Sequence, residues 1–182
     1  MSEIVVALLM AITVWGILIY NRLVRDKNRV LAAWSDIDVQ LKRRYDLIPK
    51  LVDAVKQYAN CERTTVEAIT RLRVESERSA SIGERGRLET DLSDGLHRLI
   101  AVTEDYPVLK ANDNFLALQR DLTDVEKHIQ YARRYYNGAV RNLNTRIDSF
   151  PDLLVANTCR FQPRDYFELG SPKASQPPEL GA

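Results

Sequence analysis

The chain has 182 residues, 45% of them hydrophobic, with 26 Lys and Arg against 25 Asp and Glu for a net charge of +1. That length sets one domain with appendages as the expectation, and the near-zero charge leaves no global field to draw in nucleic acid or lipid. Cys61 and Cys159 stand alone, outside any CxxC or zinc-ligand spacing, and fit free thiols in a reducing compartment better than a bridge.

The first predicted element is apolar. Ile4 to Tyr20, "IVVALLMAITVWGILIY", is uncharged, and Thr13 is its only hydroxyl before Tyr20. As a helix it spans about 26 Å, enough for a short membrane crossing, and Leu23 and Val24 can extend it. A cleaved signal peptide would need a cationic leader and a small-x-small site. The residues before Ile4 are Met, Ser and Glu, and "IYNRLVRDK" offers no such site. An uncleaved anchor is therefore expected, with Tyr20 at the interface. Arg22, Arg25, Lys27 and Arg29 follow it, while no Lys or Arg precedes it. The positive-inside rule then places the N-terminus outside and the bulk of the chain in the cytoplasm, on the inner membrane as a single-pass protein. The same four cations are the expected lipid-proximal collar.

From Val30 the apolar residues Trp34, Ile37, Leu41, Ile48, Val52, Val55, Ala59, Val66 and Ile69 recur at steps of three and four, with one break at 44 and 45. This predicts a helix of near fifty residues with a narrow, coiled-coil-like seam. Residues 79–87, "SASIGERGR", read as a turn. A second helix of about twenty residues follows, with Leu88, Leu92, Leu96 and Leu99 on one face. Gly95 weakens it, and Pro107 is expected to end it. Asn112 is the expected N-cap of a third helix of about 38 residues. Its seam runs Phe115, Leu118, Leu122, Val125, Ile129, Ala132, Tyr136, Ala139, Leu143, Ile147 and Phe150, with Pro151 at its end. "DLLVANTCRFQPRDYFEL" predicts a short closing helix and an aromatic clip. The Pro-, Ser- and Gly-rich residues 169–182 predict a disordered tail. Helices this unequal must project, pair with the closing segment, or meet another copy.

The stretches "YNRLV", "AWSDIDVQLKRRYDLIPKLVDAVKQYA", "YPVLKANDNFLALQRDL", "IQYARRYYNGAVRNLN" and "FP" at 150–151 resemble the LemA family of bacterial proteins, in order from about Tyr20 to Phe167. The resemblance implies an N-terminal membrane anchor, a cytoplasmic helical bundle and no assigned catalytic activity. One branch of that family is associated with magnetosome membrane formation. Two positions depart from the family pattern: Lys50 stands where Asn is usual, and Cys61 where His is usual. The expected fold is thus all-α: a transmembrane helix at 1–24, then a LemA-like antiparallel bundle of three long helices plus a short C-terminal helix at 25–168, and a tail at 169–182.

Lys42, Arg43 and Arg44 sit together in the broken seam. Lys42 and Arg43 read as solvated. Arg44 falls in the gap; if buried it needs a carboxylate, with Asp46 or Glu126 as candidates, since an unpaired buried charge costs several kcal/mol. The other reading is a packed stem with a wet head. Pro49 removes an amide donor, so the helix should kink or restart there. Gln40, Arg43, Arg44, Asp46, Pro49, Glu126, Tyr136, Asn137, Phe150 and Pro151 make up the candidate structural or interaction motif. In "RRYYN", Tyr136 belongs to the seam, with Arg133 and Arg134 as flanking surface rather than a nucleic-acid face.

His97 and His128 lack the paired Glu-x-x-His pattern of a di-iron bundle, and the chain has no HExxH, P-loop, GxGxxG or G-x-S-x-G motif. The expectation is a non-enzymatic scaffold or assembly factor without metal or cofactor, binding membrane lipid and either itself, as a homo-oligomer, or another membrane protein. Lipid binding or membrane remodelling is the alternative.

Overall fold

The computed structural model describes residues 1–58 and 63–168, and every regular element among them is helical. These elements are α1 (Ser2–Tyr58), α2 (Arg63–Arg78), α3 (Ile82–Val102), a 3-10 turn (Thr103–Asp105), α4 (Pro107–Lys110), α5 (Asp113–Asp148) and α6 (Asp152–Thr158). The all-α helical bundle expected from periodicity is what the chain forms. The seam expected in one long helix is carried by two, α1 and α2. Ala59, Cys61 and Glu62 lie outside the described residues, as does the tail at 169–182.

The chain divides into two compact units. One comprises residues 1–39 and 128–166. Here α1 and α5 run antiparallel: Trp34 meets Tyr136, with ring centroids 5.5 Å apart, and Asp26 meets Arg146. Ile19, Leu23, Val30, Ala33 and Ile37 of α1 are buried, as are Ile129, Tyr136, Val140, Leu143 and Ile147 of α5. The segment after α5 folds back onto this pair. Phe161 packs edge-on against Tyr20, the Tyr136 hydroxyl donates to the Asp165 carbonyl at 2.9 Å, and the Asn144 side chain bonds both backbone groups of Arg164. Pairing with the closing segment is thus one answer to the unequal helix lengths. From Ile4 to Leu18, α1 keeps its apolar side chains exposed apart from Gly16.

The other unit comprises, among the described residues, 40–58, 63–127 and 167–168. Leu41, Ile48, Leu51, Val52 and Val55 of α1, Val66 and Ile69 of α2, Leu92, Leu96 and Leu99 of α3, and Phe115, Leu122 and Val125 of α5 form its core. α2 and α3 are antiparallel, pairing Ile69 with Gly95 and Ser76 with Glu89. A Cβ on Gly95 would stand 3.1 Å from Ile69 Cγ1, so the glycine that costs α3 helix propensity lets α2 come close.

Several local expectations are corrected. The turn is confined to residues 79–81: Ser81 caps α3 by accepting from the Glu84 amide, which draws Gly83 and Gly86 into the helix. Gly86 is needed within α3 because a Cβ there would run into the Glu168 carbonyl. α3 ends at Val102, before Pro107, which opens α4 at a position where its missing amide is no loss. Asn112 does cap α5, its Oδ1 accepting from the amides of Asn114 and Phe115 at 3.0 and 3.2 Å. Phe150 is not a seam residue. α5 stops at Asp148, so Phe150 leaves the helical register and is 79% exposed. α1 runs through Pro49 without restarting, and Pro49 is exposed.

Candidate functional site

The gap in the α1 seam is filled, but by polar groups. Arg44 and Tyr45 are 4% and 2% exposed, and between them they close the row from Leu41 to Ile48. Their partner is Glu89 of α3, whose side chain is fully buried. Arg44 Nη1 donates to Glu89 Oε2 at 3.1 Å, and Nη2 donates to Ser93 Oγ at 2.6 Å. Ser93 Oγ in turn donates to the Glu89 carbonyl. The hydroxyls of Tyr45 and of Ser76 on α2 both donate to Glu89 Oε1 and lie 2.9 Å apart. Glu126 of α5 stands 3.5 Å from Arg44 at the rim. Four helices thus meet at one ion pair.

The electrostatics follow from that enclosure. Burial, and then the Glu89 carboxylate beside it, push the Tyr45 phenol up from 10.0 to about 12, so it remains a donor. A carboxylate with both oxygens occupied and no exposed surface is a fastening between helices. Removing any one group takes a partner from a buried polar cluster that water cannot reach.

Of the sequence candidates, Arg44 and Glu126 come within 3.5 Å of each other. Asp46 does not join them: it is exposed, because its position on α1 turns it away from the buried face. Arg43 is half-exposed and pairs loosely with Asp124 at 3.8 Å. Gln40 is half-buried, and its Oε1 has no hydrogen-bond partner among the described residues. Tyr136 is buried, Asn137 is half-buried beside it, and Pro151 is the residue from which α6 starts. Glu89, Ser76 and Ser93 were missed by sequence reasoning. The signal was present: Glu89 shares the row of Leu92, Leu96 and Leu99 at steps of three, four and three, whereas Leu88 is only half-buried.

A second cluster lies in the first-described unit. Asp26, buried in the α1 row between Leu23 and Val30, accepts from Arg146 Nε at 2.6 Å and from Arg29 Nη1 at 3.3 Å. Arg146 Nη1 reaches Asp152 of α6 at 3.0 Å. Bonding to Asp26, reinforced by Asp152, raises the Arg146 pKa further and keeps it charged. Arg22, Arg25, Lys27 and Arg29 are all exposed. Among the described residues no group of three or more His, Cys, Asp or Glu could hold a metal ion.

A sequence profile of the LemA family matches residues 33–181. The chain is 26% identical over 175 residues to magnetosome proteins MamQ 1 and MamQ 2 of Paramagnetospirillum magneticum, covering 82% of this chain and 64% of theirs. It is 27% identical over 135 residues to Protein LemA of Metamycoplasma hominis, covering 71% of this chain and 60% of that one. The chain therefore spans a little under two thirds of the length of these relatives. One helix, α1, is long and apolar enough at its N-terminal end to cross a membrane. With the profile covering all but the first 32 residues and the last, the chain belongs to the LemA family.

Proposed function

We propose that the protein is a single-pass membrane scaffold or assembly factor. Residues 1–24 anchor it in the inner membrane with the N-terminus outside, and residues 25–168 form a cytoplasmic body that acts through protein contacts. The anchor is supported by the exposed apolar side chains of α1 from Ile4 to Leu18, which no water-facing helix would carry in an unbroken run. The orientation is supported by the exposed cations that follow them.

The observation that carries the contact role is on α5. Tyr131 and Tyr135 stand one turn apart, both exposed, and the Arg134 guanidinium lies 5.0 Å from the Tyr131 ring centre. Exposed aromatics beside an arginine are the residue types that dominate interface energetics. Cross-linking of tagged full-length protein in intact membranes tests this. Adducts above monomer that disappear in Tyr131→Ala/Tyr135→Ala support the proposal; recovery of monomer alone, with no partner enriched, contradicts it.

A second reading, lipid binding, is supported by the arginines gathered where the apolar run ends. Anionic phospholipid carried in stoichiometric amount through purification in mild detergent would favour it.

A further inference from the structure

Ala11, Trp15, Leu18, Arg22, Arg25 and Arg29 follow one another along α1 at steps of four and three, and so form one stripe. Its upper part is apolar and exposed, with Trp15 at 41% and Leu18 at 53%. Its lower part is exposed arginine. The change falls between Leu18 and Arg22, a single turn.

The arginines do not merely ring the helix. Arg22, Arg25 and Arg29 share a cavity of about 170 Å³ with Arg146 of α5 and with Asp26. Four arginines and one aspartate line it, and with Asp152 also paired to Arg146 the local charge is +2. Asp26 and Asp152 hold Arg146 in place, and Asp26 also holds Arg29, so part of the cavity is preformed. Arg22 and Arg25 hold no ion pair among the described residues. Guanidinium forks match the oxygens of a phosphate better than those of any other common anion except a carboxylate. Lys27 takes no part: it lines a different cavity, with Tyr20 and Phe161.

Depth along the helix selects the source of the phosphate. Arg22 and Arg25 lie about 3 and 7.5 Å beyond Tyr20 along the axis, within a headgroup layer about 5–8 Å thick. An acyl chain extending from that depth would run along Leu18 and Trp15. We propose that Arg22, Arg25, Arg29 and Arg146 form a specific site for the phosphate of an anionic phospholipid whose chains lie along Trp15 and Leu18. This deepens the anchored reading above and rests on it.

Trp15 sits on the stripe and reports on the site. Full-length protein is reconstituted in vesicles of phosphatidylcholine with a minor share of phosphatidylglycerol, and bromine is placed on the chains of one lipid or the other. Trp34, about 28 Å further along the axis, supplies a constant background. The expected result is quenching by brominated phosphatidylglycerol that corresponds to at least about threefold enrichment over random mixing. Arg22→Gln/Arg25→Gln, which breaks no ion pair, should return quenching to the random-mixing level. Lys27→Gln, which removes a charge outside the cavity, should leave the enrichment intact, as should added inorganic phosphate. Equal quenching by both brominated lipids overturns the site while leaving the anchor standing. Equal loss of enrichment in Lys27→Gln overturns it in favour of a diffuse collar, and displacement by inorganic phosphate overturns the lipid as its ligand. Quenching by neither lipid means that Trp15 is outside the bilayer, and the anchored reading itself fails.

Discussion

Arg44→Met removes the guanidinium that faces Glu89 at 3.1 Å and fills most of its volume with an apolar chain. Glu89 then remains fully buried with two hydroxyl donors and without its Arg44 partner, while Glu126 at the rim can turn to water. Stripping one partner from a buried ion pair costs about 3–5 kcal/mol. The surviving bonds from Tyr45 and Ser76 set the lower end, about 3 kcal/mol, as the expected loss. With a urea dependence of about 2 kcal/mol/M, the unfolding midpoint should fall by about 1.5 M. The assay is urea unfolding of full-length protein in mild micelles, followed by far-ultraviolet circular dichroism. Adding Glu89→Gln to the Arg44→Met variant supplies a neutral group that can still bond both hydroxyls, so the double variant should recover at least about 2 kcal/mol relative to additivity. A fall below about 0.5 M for Arg44→Met, or strictly additive effects, would refute the view that this pair fastens the helices.

Four further substitutions have defined expected outcomes. Tyr45→Phe should cost about 1–2 kcal/mol by removing one donor to Glu89. Because the folded pKa of Tyr45 is raised from 10.0 to about 12, its contribution is fully present below pH 10 and lost as pH climbs to 12. Alkaline unfolding should therefore shift upward in the Phe variant relative to its own neutral-pH stability. Gly86→Ala should destabilise by about 1–3 kcal/mol, since its Cβ meets the Glu168 backbone rather than a flexible side chain, and thermal unfolding reads this directly. Asn112→Ala should cost about 1 kcal/mol and speed hydrogen exchange at the Asn114 and Phe115 amides. Asp26→Ala frees Arg146 and Arg29 from their shared partner; with Arg146 partly solvated the cost should be about 1 kcal/mol in the same urea assay.

The core was legible wherever apolar residues kept helical spacing. Ile37, Leu41, Ile48 and Val52 were found this way, and so were Leu122, Val125 and Ile129. Seam counting failed where it treated polarity as exposure. Glu89 and Asp26 each occupy a regular step in an apolar row, and both are buried because a guanidinium from another helix meets them. The break in its row drew attention to Arg44, but spacing left burial and a wet head both open, and its main partner was beyond reach. Choosing Glu89 over Asp46 requires knowing which way α3 faces α1, and spacing within one helix does not carry that information. Phe150 failed for the opposite reason: its spacing fitted, but the helix had already ended. The arginine cavity follows the same logic. Arg22, Arg25 and Arg29 were visible as a collar, while Arg146 is 117 positions beyond Arg29 and is brought there only by the antiparallel return of α5.

Everything proposed for this protein depends on one apolar helix holding a charged helical body against the cytoplasmic face of a membrane. Trypsin added to sealed right-side-out vesicles addresses that dependence most directly, since the body is rich in Lys and Arg and the segment before Arg22 has none. The account predicts that a C-terminally tagged body stays intact until the vesicles are broken and is then digested. Digestion while the vesicles remain sealed would contradict it.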